Sequence, residues 1–138
     1  PTTDAIIYLL ALELDGVEVN KTCWEVIFNA SEDNIGGRLE EFIFPFLKTI
    51  YILAAAKAGH QQRAWRALNA THEYAKKSDR WMLGWKIGMV LYQYAVLGKV
   101  AAQQEARRFF IPPLNSEFEI RMMGGSDDVS LLAFFSKL

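Results

Sequence analysis

The chain has 138 residues, of which 51% are hydrophobic and 13% aromatic, and its formal net charge is −1. Such a composition excludes a mainly disordered chain, and the length suits one domain built around a single core. The near-zero net charge hides a strong segregation along the sequence. Residues 1–46 carry nine acids against two bases, and residues 47–110 carry eleven bases against three acids. Residues 111–138 form a short tail with four acids and two bases. A neutral average therefore predicts a two-signed surface.

In chain order, Thr2-Thr3-Asp4 reads as a cap for a mostly apolar helix over residues 4–14, ended by Asp15-Gly16. Asn20 caps a second helix with Trp24, Ile27 and Phe28 on one side, and residues 31–37 read as a turn-rich loop. A long third helix is expected over 38–58, with Pro45 imposing a kink near 42–45 or dividing it into two helices. Gly59-His60 turns the chain into a helix over 61–77 with Ala64, Trp65, Leu68 and His72 on its apolar stripe. Ser78-Asp79 caps a helix over 80–97, and Gly98 closes it. A helix over 99–110 ends before Pro112-Pro113.

In the tail, Phe118, Ile120 and Met122 alternate with charged residues, as in a short extended segment. Asp127-Asp128 then caps a last helix. The two helix–glycine–helix units, around Gly59 and Gly98, are 39 residues apart, a spacing compatible with stacked helical hairpins. The expected fold is thus all-α: a single-domain irregular bundle of six or seven helices, or such hairpins, with an extended segment near the C-terminus.

No residue pattern identifies a catalytic site. Cys23, His60 and His72 lack metal-ligand spacing, so neither a metal nor a cofactor is expected. Gly36-Gly37-Arg38 opens a helix without the preceding strand of a phosphate loop, and Asp127-Asp128 reads as a cap. His60, His72, Glu73 and Asp79 are the only acid–base grouping worth locating in three dimensions. Trp81, Trp85 and Tyr92 share a helix face with Gly84 and Gly88. That arrangement reads as core packing in preference to a stacking platform, because glycines let a neighbouring helix cover the rings.

The cations are the more specific feature. Arg63, Arg66, Lys76, Lys77, Arg80, Lys86, Arg107 and Arg108 form the candidate anion-binding set. Arg107 and Arg108 also complement a helix dipole, but that role does not account for the scarcity of acids around them. The expected function is a non-enzymatic binding module for nucleic acid or an acidic protein surface. The alternative is a self-assembling or partner-capping protein in which acidic and basic segments of neighbouring copies meet.

The lone cysteine, Cys23, forbids an intramolecular disulfide and points to an intracellular setting. Three Asn-x-Ser/Thr sequons begin at Asn20, Asn29 and Asn69, but Asn69 lies in a strong helical pattern, which argues against glycosylation. No membrane contact is expected. Lys48 and Lys57 interrupt the apolar run 42–58, leaving it well short of the roughly 18 residues that span a bilayer.

Overall fold

A computed structural model of the chain describes residues 2–35 and 37–109. Among these residues run six α-helices: α1 (Thr2–Leu14), α2 (Lys21–Ile35), α3 (Pro45–Lys57), α4 (Gln61–Ala75), α5 (Asp79–Leu97) and α6 (Lys99–Phe109). A short 3-10 turn occupies Leu39–Glu41. The fold is all-α, as the periodicity requires. The expected extended segment at 118–122 and the last helix lie outside the described residues.

The helices pair as three successive hairpins. α3 packs on both α1 and α2, and α5 packs on both α3 and α4. Each hairpin thus lays its first helix against the pair before it, which is the stacked arrangement that the two glycine turns suggested. Gly59 and Gly98 both sit at φ +96°, a conformation that favours glycine and lets each chain reversal be tight.

α3 is the central element. Every residue from Pro45 to Ala56 is buried except Leu47, consistent with a helix that is apolar on all sides. Around it pack Ile6 and Leu10 from α1, Trp24 and Phe28 from α2, Leu68 from α4, and Ile87 and Leu91 from α5.

One expected boundary differs from that observed, and at Pro45 the second of the two expected outcomes, a division, is found. Residues 31–35 are helical and not loop, because Ser31 turns its hydroxyl back onto the Phe28 carbonyl at 2.7 Å and Ile35 is buried. The turn residues there are outweighed by packing. The expected helix over 38–58 is divided at residues 42–44, and Pro45 stands at the first turn of α3, where its missing N–H costs nothing. At α2, Asn20 caps as expected, its side-chain oxygen accepting from the Thr22 amide at 2.8 Å.

Trp65 departs from the expected stripe. The buried positions of α4 are Ala64, Ala67, Leu68, Thr71 and Ala75, while Trp65 is 42% exposed. The hydroxyls of Ser31 and Thr71, third residues of two sequons, are both buried and bonded to backbone carbonyls.

Gly84 and Gly88 do admit a neighbouring helix. A Cβ on Gly84 would lie 3.1 Å from the Pro45 Cβ, and one on Gly88 would lie 2.9 Å from a methyl of Leu68. Leu68 is wholly buried and has little room to move. Gly88→Ala should therefore lower unfolding free energy by about 1–2 kcal/mol despite alanine's better helix propensity. Urea denaturation reads this directly, and a gain in stability would show that α4 can shift away.

Candidate functional site

Much of the charge segregation is resolved inside the molecule. Glu13 on α1 takes three donors: Lys57 Nζ at 2.9 Å, Tyr94 Oη at 2.7 Å and Trp24 Nε1 at 3.0 Å. The Lys57 ammonium also lies 5.5 Å from the centres of both the Trp24 and Tyr94 rings. Four helices thereby meet on one carboxylate. Burial, followed by the hydrogen bond to Glu13, pushes the Tyr94 hydroxyl pKa well above its ordinary value.

A second junction ties α2 to α4. Arg63 spans both carboxylate oxygens of Glu32, donates to the Gly37 carbonyl at 2.9 Å and rests 5.4 Å from the Phe28 ring centre. The hydrogen bonds to Glu32 raise its pKa further, so it stays charged. Arg66 reaches Glu40 only loosely, Nε to Oε1 at 3.7 Å, with 65% of its side chain exposed.

Lys48 is the most unusual cation. It is completely buried, donates to the Glu40 carbonyl at 2.6 Å and lies 5.6 and 5.8 Å from the ring centres of Tyr74 and Trp81. Burial outweighs the attraction of Glu40 and lowers its pKa to about 8.

The remaining cations gather elsewhere. Ring contacts join the end of α4 to the start of α5 and the end of α6: Tyr74 on Trp81 at 4.8 Å, His72 on Trp85 at 4.6 Å, and Trp85 on Phe109 at 5.4 Å. Those contacts bring Lys76, Lys77, Arg80, Lys86, Arg107 and Arg108 to one end of the bundle. The acids carried there by α4–α6 are Glu73, Asp79 and Glu105, of which Glu73 pairs with Lys76 and Glu105 with Arg108, each at 3.2 Å. No ion pair among the described residues holds Lys77, Lys86 or Arg107. Along α4, Arg66 and Lys76 are separated by about 15 Å. The candidate set therefore divides: Arg63 and Arg66 face the acidic N-terminal third, and the other six share the far end.

Trp81 and Trp85 are partly covered and Tyr92 is buried, in keeping with the packing reading of that stripe. His60 is exposed against the Phe28 ring, and His72 packs on Trp85. Neither histidine has a carboxylate partner in the hydrogen-bond or ion-pair contacts of the described residues. Among those residues no group of three His, Cys, Asp or Glu side chains could hold a metal ion. No helix there is long and apolar enough to cross a membrane.

The sequence reading missed Glu13, Lys57 and Lys48 as organising residues. A lysine within an apolar run was the available signal for Lys48. Nothing local in the sequence marks Glu13, whose partners lie up to 81 positions away. No protein-family model, curated protein or solved structure matches the chain.

Proposed function

We propose that the chain is a nucleic-acid-binding module whose contact surface is the basic end formed by α4, α5 and α6. The observation that carries this reading is the convergence there of six cations from three helices, beside an exposed Tyr74. Of these six, Lys76 and Arg108 pair with acids three positions back along the chain, whereas Lys57 and Arg63 are tied to acids of other helices. Exposed cations next to an aromatic ring suit phosphates with unstacked bases better than they suit the flat carboxylate surface of a protein. Helix dipoles account for part of the charge at the ends of α4 and α6, but not for Arg80 and Lys86 on the opposite helix. The exposed thiol of Cys23 suits a reducing, intracellular setting.

A second reading is favoured by the opposite signs of the outer hairpins. α1 and α2, with the link between them, expose Asp4, Asp15, Glu18 and Asp33, while α6 exposes Lys99, Arg107 and Arg108. Copies could meet head to tail, acidic hairpin on basic hairpin.

One experiment separates the two. Binding to single-stranded RNA, measured across a salt series, should weaken steeply. Changing Lys76, Lys77, Arg107 and Arg108 to glutamine should flatten the log–log slope by about 3. Absence of binding to RNA, DNA and heparin at low salt would defeat the nucleic-acid reading. Salt-sensitive oligomers seen by light scattering without nucleic acid would favour self-assembly instead.

A further inference from the structure

Away from the basic end, a groove of about 680 Å³ runs between the start of α4 and the end of α5. Trp65 forms one wall, 42% exposed, held from behind by Tyr92 with ring centres 5.3 Å apart and planes inclined at 45°. Gln61, Gln62 and Gln93 line it, and their side-chain amides are not engaged by any other described residue. Arg66 stands at its edge, with an adjoining basin of about 500 Å³ that also holds His60 and Arg63. No carboxylate lines either space.

Each of these groups selects a property of the occupant. An indole fixed on a rigid helix, with its surface still open to water, offers a flat face for a planar ring. A primary amide both donates and accepts, so three together match a heterocycle whose rim carries donors and acceptors in its plane. The Arg66 side chain is 65% exposed and meets Glu40 only loosely, Nε to Oε1 at 3.7 Å, so its guanidinium selects a negative substituent on that ring. A peptide that binds by adding a strand to a sheet would need an edge to pair with, and the described residues contain no strand.

We propose that this groove binds a nucleotide unit, with the base stacked on Trp65 and its phosphate held by Arg66. The unit is either a free nucleotide or one link of a nucleic-acid strand. The site is separate from the basic end, and its occupancy does not depend on the function proposed there.

Isothermal titration with adenosine, adenosine 5′-monophosphate, a short oligoadenylate and octaglutamate tests the proposal on the full chain. The monophosphate or the oligonucleotide should bind; binding of the oligonucleotide alone identifies a strand as the source. Arg66→Met should weaken phosphate-bearing ligands about tenfold and leave adenosine unchanged. Trp65→Leu should weaken all adenine ligands about tenfold or more, and Trp65→Phe should restore most of the loss. Circular dichroism of each variant reports whether it is folded, and the exposure of Arg66 makes Arg66→Met the safer of the two. The glutamine variant of Lys76, Lys77, Arg107 and Arg108 should keep its affinity for the monophosphate whatever happens to RNA retention. Failure of all adenine ligands at millimolar concentration overturns the proposal. So does binding that survives both Arg66→Met and Trp65→Leu, or a groove that takes octaglutamate and rejects every adenine ligand.

Discussion

Glu13→Ala should be among the most damaging single substitutions in this protein, lowering the unfolding free energy by about 3 kcal/mol and the melting temperature by about 10 °C. The carboxylate is only 12% exposed and satisfies an ammonium, a phenol and an indole N–H at once. Its removal leaves the largely enclosed Lys57 without this carboxylate and takes from Tyr94 and Trp24 the acceptor that Glu13 supplies. Unpaired buried donors cost about 1–3 kcal/mol each, and partial access of water to Lys57 moderates the total. Glu13→Gln retains an acceptor of the same shape and should cost about half as much. A double-mutant cycle with Lys57→Met would show strong coupling between the two positions. Additive effects would mean that the four helices do not depend on this junction.

Lys48 should make stability rise with pH across the mildly alkaline range. In the unfolded chain it keeps its proton to about 10.5, whereas in the folded chain it loses it near 8. Between those values the unfolded chain binds more protons, so raising the pH favours the folded state. From pH 8 to pH 10 the gain from this residue is about 2 kcal/mol. Above about pH 10 the raised pKa of Tyr94 acts in the opposite sense, because unfolded tyrosine ionises there and the folded residue does not. Lys48→Met keeps the length of the side chain and removes the titration. Denaturation midpoints measured from pH 7 to pH 10 should climb for the natural chain and stay flat at this contribution for the variant. Parallel curves would show that Lys48 keeps its charge throughout, held by the Glu40 carbonyl and the rings of Tyr74 and Trp81.

Both effects arise where the acidic N-terminal third meets the basic middle. The segregation itself is plain in the sequence, but its destination is not. Glu13, Glu32 and Glu40 turn toward Lys57, Arg63 and Arg66, so part of the two-signed charge is spent within one molecule. Of the cations at the far end of the bundle, Lys77, Lys86 and Arg107 take part in no ion pair among the described residues.

The sequence by itself determined the helices and most of their limits. Asn20, Gly59, Ser78 and Gly98 act through their own backbone and nearest neighbours, and a local cause leaves a local mark. Gly84 and Gly88 likewise announced close packing. Residues 31–35 went the other way, since their turn-forming residues were overruled by burial against other helices. Only the tertiary structure decided which charges pair, that Trp65 faces out while Trp24 is enclosed, and that six cations from three helices share one end. Those outcomes depend on distances between residues tens of positions apart, set by how hairpins stack. Ion pairs and grooves are properties of that stacking, and no periodicity within a single helix encodes them.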